Sequence, residues 1–391
     1  MRLLVTGGSG FLGGYVLAEA ARRGHFCVAL ARSPAAARTV AALGATPLAG
    51  DLDDGAALAD LFARADCEDL VNLASLGFGH APAIVGAAER AGLDRAVFVS
   101  TTAVATALPA RSKAVRLAAE DEIRISNLSW TILRPTMIYG AAGDRNLSRL
   151  LLLLARLRRA PLPRGVPIAV PVPGGGRQLQ QPVHVADLAA AVLTAVERRS
   201  AARRRYDVAG PEPLTFADVL RAAAVAVGGR VHPVPVPLAP VIALTRGYER
   251  MSRRPRIRVE QWQRLAEDKT FPIEAAARDL DFAPRPFAAG IRGEAVALGL
   301  APSASAATLS AATRSAAPLP PACVPPVPAS PGPSSPTLIR RYDAQPCQEP
   351  AGARPWSARA VARPGPDAVQ LLRADPAPPA EVRHPGDHRG R

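Results

Sequence analysis

Lysine is nearly absent from this 391-residue chain: of its 48 basic side chains only Lys113 and Lys269 are lysines, and the rest are arginine. Aromatic residues are scarce too, at 4%. A core of this composition is aliphatic, built mainly from Ala, Val and Leu. No basic patch is interleaved with aromatics, so the stacking platform of a single-strand nucleic-acid binder is missing and no nucleic-acid partner is expected. The net charge of +15 would suit an anionic partner. Here it comes with a general excess of Arg, Ala and Pro, which reads as compositional bias and not as a patch. The four cysteines, 27, 67, 323 and 347, have no C-x-x-C spacing. Neither a zinc site nor a disulfide framework follows from them, and no metal site is expected. Cys27 reads as a small buried hydrophobe. No apolar run reaches the roughly 18–20 residues of a membrane span. The first strand begins at residue 3, leaving no room for a signal or transit peptide, so the expected location is the cytoplasm.

What is present is concentrated at the start. Leu3–Val5 is a short apolar strand, Thr6–Gly10 a glycine-rich turn, and Phe11 onward a helix that closes at Gly24. A turn this tight needs residues that tolerate positive φ, and a backbone that touches a pyrophosphate has no room for a Cβ. The helix N-terminus offers free N–H groups and a partial positive charge to phosphates. A second strand, His25–Leu30, follows directly. The βαβ unit is about thirty residues long, the size that nucleotide binding requires. The glycines at 7, 10 and 13 are spaced G-x-x-G-x-x-G, unlike the G-x-G-x-x-G of the dinucleotide fingerprint.

Thr6-Gly7-Gly8-Ser9-Gly10-Phe11-Leu12-Gly13 resembles the T-G-x-x-G-x-x-G cofactor signature of the short-chain dehydrogenase/reductase superfamily, in its extended and atypical branches. Further segments match in order. Gly50-Asp51-Leu52 resembles the segment that touches the adenine. Val71–Ala74 resembles the fourth strand and its cofactor-facing end. Val97–Thr102 resembles the fifth strand with its active-site hydroxyl. Leu133–Gly140 is similar to the R-P-x-x-x-Y-G that ends the sixth strand, Gln181–Asp187 to the later V-H-V-x-D, and Asp279–Phe287 to the closing L-G-F-x-P. The resemblance covers residues 1 to about 298. It implies an α/β fold, a Rossmann-like doubly wound parallel sheet with a smaller C-terminal substrate region. It also implies cofactor contacts at Gly7, Ser9, Gly10, Phe11, Leu12, Gly13, Arg32, Asp51, Leu52, Ala74, Ser100, Pro135 and Ile138. Similarity to the NAD(P)H-binding accessory subunit of respiratory complex I belongs to the same picture.

Cofactor choice is read at the end of the second strand. An acidic side chain there would bond the ribose 2′-hydroxyl, whereas an Arg accommodates a 2′-phosphate. The chain reads Leu30-Ala31-Arg32-Ser33-Pro34, with no carboxylate before Asp51. Arg32 and Ser33 suit a 2′-phosphate, so NADP(H) is favoured over NAD(H). The catalytic reading is harder. The resemblance implies a Tyr acid/base, a Lys four residues on and a Ser or Thr that orients the substrate oxygen. Thr102 matches the hydroxyl and Lys113 the lysine, but position 109 is Pro. In the alternative frame of Ser112 and Arg116, followed by Glu120, the Tyr is still missing. No tyrosine lies between Tyr15 and Tyr139. Tyr139 matches a structural turn, His184 reads as a support residue, and Asp187 as a helix N-terminal charge.

Strands at 2–6, 25–31, 46–49, 69–73, 96–100 and 130–134 alternate with helices at 11–23, 34–43, 55–64, 80–91 and 112–124, which predicts a parallel sheet covered on both faces. Residues 1–140, completed by about 181–200, form the cofactor domain, and 141–300 the substrate region. Residues 301–391 hold nearly half of the 40 prolines and read as a disordered Pro/Ala/Arg-rich tail. Two functional readings follow. One is an NADP(H)-dependent oxidoreductase or epimerase/dehydratase-like enzyme acting on a small carbonyl, sugar-nucleotide or isoprenoid-type substrate. The other is a non-catalytic, regulatory NADPH-binding protein. A weaker third, peripheral membrane contact, rests on Val231–Leu244 beside the basic run Arg246–Arg258.

Overall fold

The computed structural model describes residues 1–301 apart from 109–110, 141–142, 145, 159–166, 253–258, 260–261 and 263–266. Of the tail expected at 301–391 only Ala301 is described, and 159–166 of the expected Pro/Gly loop and 253–258 of the basic run also lie outside the described residues. Strand and helix alternate through the first half: β1 (Arg2–Thr6), α1 (Phe11–Arg22), β2 (Phe26–Ala31), α2 (Pro34–Ala42), β3 (Thr46–Ala49), α3 (Leu58–Arg64), β4 (Asp69–Asn72), α4 (Ala81–Arg90), β5 (Arg95–Val99), α5 (Arg111–Ile125) and β6 (Ser129–Pro135). Then come β7 (Ile138–Tyr139), α6 (Leu147–Arg158), β8 (Ile168–Pro173), β9 (Leu179–Gln180), β10 (Val183–His184), α7 (Val185–Glu197) and β11 (Arg204–Val208). The rest is β12 (Leu214–Thr215), α8 (Phe216–Ala226), β13 (Val231–Val236), α9 (Leu238–Met251), α10 (Glu274–Leu280) and α11 (Phe287–Ala297).

Seven parallel strands form one sheet in the order β11-β6-β5-β4-β1-β2-β3. The expected doubly wound sheet is therefore present. Its central strands are continuous apolar runs because both faces are covered. Alternate side chains divide between two cores. Leu3, Val5, Val97 and Val99 pack with Val16, Leu188 and Val192 on one face; Leu4, Leu70, Phe98 and Ile132 pack with Phe62, Ile84 and Ile123 on the other. The seventh strand, β11, comes from beyond the 181–200 segment expected to complete this layer. Its sequence, Arg-Arg-Tyr-Asp-Val, opens with two exposed arginines and buries only Tyr206 and Val208 fully, as an edge strand can, and so lacks the continuous apolar run of the others.

A smaller core lies beyond the sheet, where Tyr139, Leu151, Val219, Phe287 and Ile291 meet. Thr215 caps α8 as expected: its hydroxyl accepts from the Asp218 N–H at 3.1 Å. Small side chains let this core close tightly. A Cβ on Gly290 of α11 would collide with the Tyr139 hydroxyl. One turn on, Glu294 is completely buried. Burial, reinforced by the neighbouring Asp144 carboxylate, pushes its pKa up to about 8.

Glu294 thus holds its proton more tightly folded than unfolded. Its contribution to stability is fully present below the ordinary carboxylate value of 4.5 and is lost as pH rises through about 8. Glu294→Gln should flatten this slope, so that the variant melts above the natural protein at pH 9 but not at pH 4.5. Thermal unfolding across that range checks it, and parallel curves would contradict it.

Candidate dinucleotide and substrate site

The site lies where the sheet order reverses, between the C-terminal ends of β1 and β4, the usual ligand crevice of an open α/β sheet. A buried hydrogen bond from the Thr6 hydroxyl to the Asn72 side-chain oxygen, 2.6 Å, joins these ends. The Asn72 amide then donates to the Ala74 carbonyl at 3.1 Å. Gly7 follows with φ +74°, and a Cβ on it would stand 2.8 Å from the Ala74 nitrogen. Only glycine fits both the conformation and the space. A Cβ on Gly13 would strike the carbonyl oxygens of Gly7 and Gly8. Gly10 is different: its backbone is extended (φ −82°, ψ 177°) and its missing Cβ would face only the Gly7 oxygen, at 3.2 Å. Gly7 and Gly13 let the turn fold, while Gly10 leaves its outer face open.

Helix α1 begins with no side-chain cap and no acidic residue in its first turn. Other helices have side-chain acceptors at this end: Ser33 on α2, His184 on α7, Thr215 on α8, and Asp144, which accepts from the first N–H groups of α6. The bare N–H groups of α1, above a cradle that a Cβ would fill, fit a diphosphate.

A cavity of about 520 Å³ extends from this turn and is lined by Gly7, Ser9, Gly10, Arg32, Asp51, Leu52 and Ala74. Seven of the residues assigned to cofactor contact from sequence are thus brought together. Arg32 is exposed at the rim. The Ser33 hydroxyl is engaged in capping, accepting from Ala36 N–H at 3.2 Å. On the same rim His80 bonds Asp53 at 2.7 Å. Phe11 lies on the other side of the turn, in an open groove with Asp144 and Asn146.

A second cavity, about 460 Å³, lies beyond the turn and is lined by Leu12, Ser100, Ile138 and Lys113. Lys113 reaches it from the first turn of α5, and its ammonium donates to the Thr106 carbonyl at 2.6 Å. Pro109 lies outside the described residues. The Thr102 hydroxyl donates to the Pro135 carbonyl at 3.2 Å, and Thr102 lines an adjoining cavity instead. The neighbouring Thr101 borders both cavities. Ser100 donates to the buried Glu120 carboxylate at 2.6 Å, and Arg134 pairs with the same carboxylate. Both flanking hydroxyls are therefore engaged within the protein.

Tyr139 stays out of this cavity. It is fully buried between His184 and Phe287, with ring centroids 5.3 and 5.1 Å away. Burial, then the nearby Asp187 charge, raises its pKa above the usual phenol range. His184 caps α7 through Nδ1, which accepts from the Ala186 N–H at 3.2 Å. Burial pushes its pKa down to about 4, so it is a neutral acceptor at pH 7. Asp187 pairs with Arg285. Sequence reasoning missed Glu267 and Lys269, which line the second cavity with Arg116. Their one sequence signal was the rarity of lysine.

Residues 7–149 match the family model described as NAD(P)H-binding. That match runs from the end of β1 into α6, the part of the chain that holds the glycine turn. It is 32% identical over 230 residues to a Stigmatella aurantiaca protein named 4-hydroxy-2-methyl-3-oxo-4-farnesyl-3,4-dihydroquinoline-1-oxide ketoreductase, across 51% of this chain and 65% of the relative. The chain thus spans under two thirds of that relative. A 113-residue stretch is 32% identical to the chloroplast stem-loop binding protein of 41 kDa b from Arabidopsis thaliana, covering 29% of this chain and 28% of that protein. The fold is shared with the crystal structure of gox2253, with a TM-score of 0.61 and 22% identity over 76% of this chain and 98% of that one. It is also shared with the Thermus thermophilus UDP-glucose 4-epimerase complex with NAD, at 0.57 and 21% over 76% and 99%. Among the described residues no helix is long and apolar enough to cross a membrane, and no cluster of side chains could hold a metal.

The contrast among the glycines gives a test. Gly10→Val should leave the melting temperature close to natural while lowering NADPH affinity by about tenfold or more, since a branched side chain would fill the open face. Gly13→Ala should instead cost about 1–3 kcal/mol of stability through overpacking. Urea denaturation and NADPH fluorescence titration separate the two. Natural cofactor affinity in Gly10→Val would remove the pyrophosphate from this turn.

Proposed function

We propose that this protein is an NADPH-dependent carbonyl reductase that works without a tyrosine acid. The observation that carries the proposal is the pair of cavities on either side of the glycine turn. One has room for the adenosine end of a dinucleotide, and the other brings Lys113 to its nicotinamide end. The name of the Stigmatella relative, a ketoreductase, supports the same reaction class. Support for NADP(H) comes from the rim of the first cavity, where Arg32 stands with no ion-pair partner among the described residues and no carboxylate ends β2. A 2′-phosphate would meet a guanidinium fork there.

A bound nicotinamide would supply the hydride for a carbonyl carbon. The chain's own task is to hold the two partners and to manage the oxygen that becomes an alkoxide. Lys113 is placed for the ribose and, through its positive charge, for stabilising that oxygen. Thr101 borders both inner cavities, and its hydroxyl accepts from the Ala103 N–H at 3.2 Å but keeps its own proton to donate, so it succeeds Thr102 as candidate for orienting the substrate. With no phenol in the cavity, the proton comes from water or from the substrate. A missing general acid lowers rates by about 10² to 10⁴, so slow turnover is expected. The engagement of Ser100 and Thr102 favours one alternative, a protein that binds NADPH without turning it over.

Single-turnover oxidation of bound NADPH against a panel of ketones separates these readings: oxidation supports the reductase, and its absence across the panel supports the binding protein. Lys113→Met should weaken NADPH binding more than it slows any residual hydride step. Arg32→Asp should shift preference from NADPH towards NADH by roughly ten- to a hundredfold, replacing an attractive contact with a repulsive one. Preference of the natural protein for NADH would overturn the assignment of Arg32.

A further inference from the structure

The two lysines of the chain are 156 positions apart, yet both line the cavity at the proposed nicotinamide end. Arg116 lines it as well, one helical turn beyond Lys113 on α5. Its Nη1 donates to the Ser112 carbonyl at 3.2 Å, and its guanidinium lies against Gly77, where a Cβ would stand 3.0 Å from it. No carboxylate pairs with Arg116 among the described residues. Among the described residues one carboxylate, Glu267, lines this cavity beside the three cations.

That carboxylate has structural work of its own. One Glu267 oxygen accepts from the Thr106 hydroxyl at 2.5 Å and the other from the Ala107 N–H at 2.9 Å. These contacts fasten the segment 267–271 to the loop that follows β5. The segment's other side is tied to β9 and the residue after it. The Leu179 N–H donates to Asp268 at 2.8 Å, the Lys269 N–H to the Leu179 carbonyl at 2.8 Å, and the Phe271 N–H to Gln181 at 2.9 Å. Lys269 is therefore held across the cavity mouth by its backbone, opposite the helix that carries Lys113 and Arg116. Among the described residues the lining carries three cations and one carboxylate, and Arg116 has no carboxylate partner, so positive charge predominates there. Such a lining concentrates anions and disfavours cations.

We infer that the substrate is an anionic carbonyl compound, a small oxo acid, whose carboxylate is received by Arg116 and Lys269. The inference rests on the carbonyl-reductase reading for the substrate's ketone, though not for its charge. The guanidinium fork matches a carboxylate in two parallel hydrogen bonds. Lys269 closes the other side as a point charge. Lys113 stays with the Thr106 carbonyl and the cofactor. The cofactor's 2′-phosphate has its own partner in Arg32, which lines the other cavity and not this one.

The test uses 2-oxo acids paired with their primary amides, phenylglyoxylate and phenylglyoxylamide first, titrated calorimetrically into the full chain with and without saturating NADPH. The acid should bind about ten- to a hundredfold more tightly than its amide. Arg116→Met and Lys269→Met should each erase most of that preference, and Lys269→Arg should keep it. If Arg116→Met fails to fold, Lys269→Met on its exposed strap still decides the matter. Equal affinity for acid and amide, or binding of neither, overturns the inference, as does a preference that survives both methionine variants. NADPH fluorescence is titrated separately on each protein. Failure of the cofactor to bind would overturn the reductase reading while the acid–amide comparison still judged the anion site.

Discussion

The hydrogen bond between Thr6 and Asn72 is the constraint on which the rest of the site depends. It is buried, it joins the ends of β1 and β4, and it fixes how far those ends stand apart. An unmade bond here would leave two polar groups without water, at a cost of about 1–3 kcal/mol each. With the separation fixed, the Gly7 backbone touches the backbone of Ala74, α1 starts directly over the crevice, and the two cavities open beside it. The glycines follow from this closeness. They are required because the strand ends are locked together, and half of the lock, Asn72, lies far outside the glycine pattern.

A second polar network shapes the chemistry. Glu120 accepts from Ser100 and pairs with Arg134, so the end of β5 is tied to α5 and to β6. The carboxylate is almost wholly enclosed, and removing its guanidinium partner would leave an uncompensated charge, typically a loss of about 3–5 kcal/mol. The same network takes the Ser100 hydroxyl out of the cavity. Thr102 is likewise turned toward the Pro135 carbonyl. A wall that elsewhere could orient a substrate oxygen has here been given to holding strands and helix in place. The positive charge lining that cavity comes from α5 and from the distant 267–271 segment.

The parts legible in the sequence were those decided locally. The glycine turn, the six alternating strands and the Thr215 cap each depend on residues within a few positions of one another, and the structure has them where the pattern put them. Arg32, Asp51 and Ala74, expected at the cofactor, line one cavity for a related reason: each follows a strand whose end the fold directs into the same crevice. Three features were not legible. The β11 strand hides its apolar pattern behind exposed arginines. The orientation of the Thr102 hydroxyl is set by a carbonyl 33 residues away. Glu267 and Lys269 reach the cavity only through bonds to Thr106, Ala107 and Leu179, which no spacing rule connects.

The two borders of the sheet carry a consequence for how this molecule meets others of its kind. A border strand offers unpaired N–H and C=O groups, and a second chain can add to it. Here β3 is four residues long and contains Pro47, which has no N–H to offer. At the opposite border β11 opens with Arg204 and Arg205, both exposed. One side is short and chemically interrupted; at the other, Arg204 is paired with Asp279 and α10 packs against the strand. Neither border is a long, flat, apolar template for a strand of a second chain.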